Sequence, residues 1–131
     1  MNPSPSRERV SSAEAPPQSG GYSQGIKAAG LLFLSGQAPF DTQGRPVGAT
    51  VGEQVRQTLT NLDAVARAGG SSLANAVRVG VFLRDLADFA AMDAAYREFF
   101  GADAVLPART TIQSDLIGFD VEIDAVVAVD G

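Results

Sequence analysis

The run Leu31-Leu32-Phe33-Leu34 constrains this chain most, because as a strand it is apolar on both faces. Successive strand residues point to opposite sides of a sheet, so Leu31 and Phe33 share one face and Leu32 and Leu34 the other. Two helices are available as cover. Thr50 opens the first, with Glu53 three residues on as a capping box. Val51, Val55, Leu59, Leu62 and Val65 recur at helical spacing and leave Arg56, Thr60, Asp63 and Arg67 for solvent, until Gly69-Gly70 stops the helix. Asp85 caps a second helix with the stripe Leu86, Phe89, Met92, Tyr96 and Phe99, ended by Gly101. Two helices cover one face only. The other needs a partner, and in a chain this short the expected partner is another copy of itself.

The remaining segments read as strands and loops. Ile26 to Ala28 and Leu31 to Gly36 form a hairpin-like pair around Ala29-Gly30, and Phe40 to Gly48 is a loop. Val77, Val79, Val81 and Leu83 alternate with Arg78, Gly80, Phe82 and Arg84 as a strand. Arg109 to Ser114 and Asp120 to Val129 are two more strands, expected to pair with each other. The order strand, strand, helix, strand, helix, strand, strand gives an α+β class. Residues 1–20, rich in Ser, Pro and charge, are expected to form a mobile N-terminal arm, with order beginning near Tyr22. Residues 21–131 form one domain; a chain of 131 residues can bury roughly two-thirds of its unfolded surface.

Composition removes several function classes. Ten basic against fifteen acidic residues give a net charge of −5, with a single lysine at Lys27. Nucleic-acid binding needs clustered cations, so none is expected here. With no cysteine and no histidine, thiol and histidine chemistry are excluded, and a metal would need an all-oxygen site; none of the calcium-loop type is present. Neither Gly20-Gly21 nor Gly69-Gly70 has the spacing of a phosphate loop. The N-terminus lacks an apolar run of signal-peptide or membrane-span length, so no membrane partner and a cytoplasmic location are expected.

The chemistry-bearing stretch is Pro107-Ala108-Arg109-Thr110-Thr111, followed thirteen residues after the arginine by Glu122. Arginine presents a planar fork that matches a carboxylate, and a glutamate can orient or deprotonate a water. The pair suits a pocket that grips a small carboxylic acid and hydrates something attached to it. In strands, Arg109, Thr111 and Gln113 share a face, and Glu122 and Asp124 share another, so the two polar faces are expected to meet. Spacing alone favours a structural ion pair between Arg109 and Glu122 and leaves the site reading open. Tyr22 reads as packing or a ligand-facing aromatic. Ser35-Gly36, at a strand end, offers a hydroxyl and bare backbone to a ligand, or is an ordinary strand-to-turn transition. Asp93 lies near the edge of the second apolar stripe, where a solvated role and a site role compete.

The motifs Tyr22-Ser23-Gln24-Gly25-Ile26, Leu34-Ser35-Gly36-Gln37, Glu53-Gln54-Val55-Arg56-Gln57, Asn61-Leu62, Val81-Phe82-Leu83, Asp88-Phe89, Tyr96, Phe99-Phe100, Pro107-Ala108-Arg109-Thr110 and Val121-Glu122-Ile123 run in order through the chain. Together they resemble the Rid (reactive intermediate deaminase; RidA-like, YjgF-type) family from about Pro16 to Val129. The resemblance implies a chorismate-mutase-like α+β fold, a homotrimer with clefts between subunits, and hydrolysis of reactive 2-enamino and 2-imino acids such as 2-aminoacrylate to 2-keto acids and ammonia. It implies no cofactor. It also implies that Arg109 binds the substrate carboxylate, that Glu122 holds the attacking water, and that Tyr22 and Ser35 line the cleft; Gly36, Asp93 and Thr111 complete the candidate set.

Several positions depart from the family pattern. Thr111 stands where many members have cysteine, Asp93 where asparagine is common, Gly21 where proline is usual, and Leu116-Ile117-Gly118-Phe119 where Leu-Pro is usual. The changes at Asp93 and Ile117 to Phe119 motivate one alternative, a pathway-specific relative with a larger amino acid-derived or ring-cleaved substrate. Another, from a different class, is a non-catalytic trimeric module that binds a small carboxylate or a partner; retention of Arg109 and Glu122 together favours the enzymes.

Overall fold

The computed structural model describes residues 6–130. Their strands are β1 (Glu8–Val10), β2 (Gly25–Ala28), β3 (Leu31–Gln37), β4 (Ala76–Leu83), β5 (Ala108–Gln113) and β6 (Val121–Ala128), and their helices are α1 (Val51–Ala68) and α2 (Phe89–Phe100). The strands form one mixed sheet in the order β1-β2-β3-β6-β4-β5. Only β4 and β5 run parallel, joined by the α2 crossover that a parallel pair requires.

Helix α1 forms for the reasons its sequence gives. The Thr50 hydroxyl accepts the Glu53 N–H at 3.2 Å and donates to the Glu53 carboxylate at 3.1 Å. At the other end the Gly69 N–H reaches back to the carbonyls of Val65 and Ala66, and Gly70 adopts the left-handed φ of +91° that favours glycine. Val55, Leu59, Leu62, Val65 and Ala66 are fully buried against Leu32, Val79, Val81, Ile123 and Val127 of the sheet. Removing the cap by Thr50→Ala is expected to lower stability by about 1 kcal/mol, read from the midpoint of urea unfolding.

Both helices lie on one face. Cross-strand partners Leu32↔Val127, Leu34↔Ala125, Val79↔Ala125, Val81↔Ile123 and Leu83↔Val121 all point towards them. On the other face lie Phe33, Phe82, Ile112 and Val126, with Phe33 46% and Ile112 47% exposed in the single chain. The double apolar character of Leu31–Leu34 is therefore real, and within one chain only half of it is covered.

Four expectations are corrected. The segment assigned to a mobile arm instead supplies an edge strand: β1 pairs with β2, and Val10 and Ala15 are buried. Buried Gln24 holds that segment down, accepting the Ser12 N–H and donating to the Pro16 carbonyl at 2.8 Å. Residues 1–5 of the arm lie outside the described residues. The alternation that groups Val77 with Val79, Val81 and Leu83 breaks at its start: those three are buried while Val77 is 46% exposed, because a bulge between Ala76 and Arg78 shifts the register. The second helix starts later than its stripe: Leu86–Asp88 is a 3₁₀ turn capped by Asp85, and Leu86 and Phe89 lie outside the core. Finally, the last two strands do not pair. β4 sits between them, because β5 arrives by a crossover parallel to β4 while β6 pairs antiparallel with both β3 and β4.

Candidate active site

That last correction decides where the chemistry sits. Arg109 aligns with Val79 and so faces the helices, whereas Glu122 aligns with Phe82 and faces the opposite side of the sheet. No ion pair between them forms, and the polar faces of β5 and β6 do not meet. The two candidate groups line separate cavities.

The Arg109 cavity holds about 240 Å³ and is lined by Asp93, Tyr96, Arg97, Leu106, Pro107 and Arg109. The guanidinium carbon of Arg109 stands 4.7 Å over the Tyr96 ring and 5.4 Å from that of Phe89, with Nη1 4.0 Å from Met92 Sδ. Such stacking fixes the plane of the guanidinium. Nη1 also pairs with Asp93 Oδ1 at 2.9 Å, while Asp93 Oδ2 accepts from Arg97 Nε at 3.0 Å. The hydrogen bond from Arg109, and then that from Arg97, holds the Asp93 carboxyl below the usual carboxylate range. Tyr96 is buried, which pushes its phenol up to about 12, so it stays protonated. Thr111 follows two residues on along the same face of β5, half-buried and aligned with Val81.

The Glu122 cavity holds about 260 Å³ and includes Pro17, Tyr22, Gly36, Phe40, Phe119 and Glu122 in its walls. Burial, and then the charge of Asp124, raises the Glu122 pKa above 4.5. No cation pairs with Glu122 among the described residues. Gly36 leaves it room: a Cβ there would stand 2.7 Å from Glu122 Oε2. Gly36→Ala is therefore expected to displace the carboxylate and lower turnover at least about tenfold, since small misplacements at a reacting centre are costly. Far-ultraviolet circular dichroism would remain unchanged. Tyr22, 47% exposed, accepts the Ser19 N–H on its hydroxyl at 3.2 Å, which ties the segment before it to the cavity wall. Phe40 and Phe119 meet edge to face at 5.5 Å. Ser35 is adjacent but outside the wall, its hydroxyl donating to the Ser23 carbonyl at 2.6 Å.

Of the sequence-predicted residues, the structure thus gathers Tyr22, Gly36 and Glu122 at one cavity and Arg109 and Asp93 at the other. Sequence reading assigned Phe89, Met92 and Tyr96 to the core alone and missed that they form the bed of Arg109. The signal lay in the helical spacing of Phe89, Asp93 and Tyr96, which places the carboxylate on the same helix face as the two rings. Pro17 and Phe40 carried no comparable pattern, whereas Phe119 ends the loop already singled out as a departure from the family. Among the described residues no helix is long and apolar enough to cross a membrane.

Comparison with known proteins gives this arrangement a context. A family model described as endoribonuclease L-PSP matches residues 12–129. A RutC family protein of Pyrococcus horikoshii is 39% identical over 123 residues, covering 92% of this chain and 96% of the relative. The 2-iminobutanoate/2-iminopropanoate deaminase of Escherichia coli K12 is 34% identical over 116 residues, covering 88% and 91%. Among solved structures, yeast Mmf1 superposes with a TM-score of 0.88 at 30% identity, covering 95% of this chain and all of that one. E. coli TdcF with bound serine superposes at 0.87 and 31% identity, covering 94% and 99%. The fold shared with these neighbours is the chorismate-mutase-like α+β fold.

Proposed function

The chain belongs to the Rid (YjgF) family, and from that premise we propose that it hydrolyses 2-enamino and 2-imino acids, such as 2-aminoacrylate, to 2-keto acids and ammonia. The observation that carries the reading is the placement of an aromatic-backed guanidinium and an unpaired, half-buried carboxylate on opposite faces of one sheet. One chain cannot bring them to a single substrate. Two copies can, and the exposed apolar face around Phe33 and Ile112 supplies the surface for self-association. We therefore read the active species as a homotrimer in which Arg109 of one copy and Glu122 of the next border each cleft.

An enamine substrate first tautomerises to the imine, C3 gaining a proton as the nitrogen loses one; Arg109 then grips the substrate carboxylate and leaves C2 of the imine facing Glu122. The water oxygen bonds to C2 while its proton passes to Glu122 and on to nitrogen. The C–N bond then breaks as the new hydroxyl loses its proton to the departing nitrogen, which gives the ketone and ammonia. Positioning alone supplies several kcal/mol of the barrier reduction, and no cofactor is needed for any step. One relative is named for 2-iminobutanoate and 2-iminopropanoate, and one neighbour was solved with serine bound; both names fit an acid of amino-acid size in cavities of about 240 and 260 Å³. The nuclease description of the family model fits this chain less well, since it has a net charge of −5 and no histidine.

The test is release of keto acid and ammonia from 2-aminoacrylate generated in situ. Acceleration above the spontaneous rate is the expected result. An intact oligomer without acceleration would return the choice to a pathway-specific substrate or a binding role.

A further inference from the structure

We propose that Asp93 is the specificity-determining residue of the Arg109 cavity, selecting monocarboxylates with small uncharged side chains against dicarboxylates. The inference rests on the reading of Arg109 as the carboxylate clamp and adds the substrate class that the clamp accepts.

Charge counting around the cavity leads there. Its lining carries two cations, Arg97 and Arg109, and one anion, Asp93. Asp93 bonds to both, through Oδ1 to Arg109 and through Oδ2 to Arg97. One further carboxylate brings the charges of this cavity to neutrality, and Glu122 of the next copy, at the far side of the proposed cleft, adds another negative charge rather than a cation. A second substrate carboxylate finds only Arg97, bonded to Asp93 through Nε and with a side chain 70% exposed, where solvent screens its attraction. The Asp93 and Arg109 side chains are only 24% and 19% exposed, so their charges are felt more strongly by anything that enters.

The rest of the wall is Tyr96, Leu106 and Pro107. These rings and methyls suit a short apolar side chain and offer an acidic one no cation. The Tyr96 hydroxyl is buried without a hydrogen-bond partner among the described residues, so it adds no donor at the surface of the cavity. A dicarboxylate held by Arg109 therefore places its second charge near Asp93 with only the solvent-screened Arg97 to offset it.

The experiment measures binding of two keto acids, 2-oxobutanoate and 2-oxoglutarate, to the full chain and to Asp93→Asn by calorimetry. Asparagine keeps an oxygen for the Arg109 hydrogen bond and removes only the charge. The ratio of the two dissociation constants cancels any change in how Arg109 is held, so a merely structural role would not move it. The wild type is expected to prefer the monoacid, and the variant to shift the ratio towards the diacid by about tenfold, as expected for one unit charge at a partly buried site. That shift is expected to shrink in about 1 M salt.

An unchanged ratio overturns the role given to Asp93, and so does failure of the wild type to bind either acid. Turnover of 2-aminoacrylate measured on the same proteins separates the two ideas. A shifted ratio without turnover retires the deaminase reading and leaves the selectivity of Asp93 standing; turnover with an unchanged ratio does the reverse.

Discussion

Arg109→Ala is expected to lower kcat/KM for a 2-imino acid by about a thousandfold, because truncating one partner of a partly desolvated charge pair costs roughly 2–5 kcal/mol. Under the proposed clamp the loss falls on binding and orientation together, since one guanidinium would both attract the carboxylate and set where C2 points. The fold should survive. Asp93 keeps its bond to Arg97 at 3.0 Å, so no carboxylate is left buried and unpaired. Arg109→Lys is expected to rescue little of the rate. An ammonium is a compact point charge, and it cannot lie flat over Tyr96 while serving Asp93 and a substrate with separate donors. Steady-state kinetics with circular dichroism on both variants checks this, and near-normal kcat/KM in Arg109→Ala would falsify the clamp.

Glu122→Gln is expected to behave differently, losing kcat by roughly a hundred- to ten-thousandfold as befits a missing proton acceptor, with KM little changed. The shape of the side chain is preserved above Gly36, so neither the cavity nor the assembly should alter. The pH dependence separates this from a packing effect. Burial and Asp124 raise the Glu122 pKa above 4.5, and the ionised form is the one that accepts a proton. Wild-type kcat is therefore expected to climb as pH rises through that raised value, and the limb should vanish in Glu122→Gln. Stability runs the other way. A carboxyl with a raised folded-state pKa contributes stability that is full below its unfolded value and lost as pH rises through the folded one. The variant should accordingly be no less stable than wild type at neutral pH, and thermal unfolding at pH 4 and pH 7 would show it.

The sequence was most legible where one local rule acted without competition. The capping box at Thr50 and the apolar stripe of α1 predicted that helix nearly to the residue, and the hairpin around Ala29-Gly30 followed from its turn. Legibility failed where pairing is settled by the whole sheet. Alternation in β5 and β6 correctly placed each side chain relative to its own strand, yet it could not say that β4 separates them. That one fact turned a suspected ion pair into two cavities on opposite faces. The edge strand β1 was hidden for a related reason: only three residues pair, and what pins them is buried Gln24, sixteen positions after Glu8. Asp93 was flagged by its place on the helix stripe, whereas its partner Arg109 lies on a different element and was reachable only through the packed structure.

The most direct test of a site shared between copies is complementation between its two halves. Arg109→Ala and Glu122→Gln chains, each nearly inactive alone, are co-refolded in equal amounts, and mixed assemblies are verified by native mass spectrometry. If each cleft draws Arg109 from one copy and Glu122 from the next, random assembly leaves about one cleft in four with both groups intact, and roughly a quarter of wild-type deaminase activity should return. Mixed assemblies no more active than the separate variants would contradict the shared site.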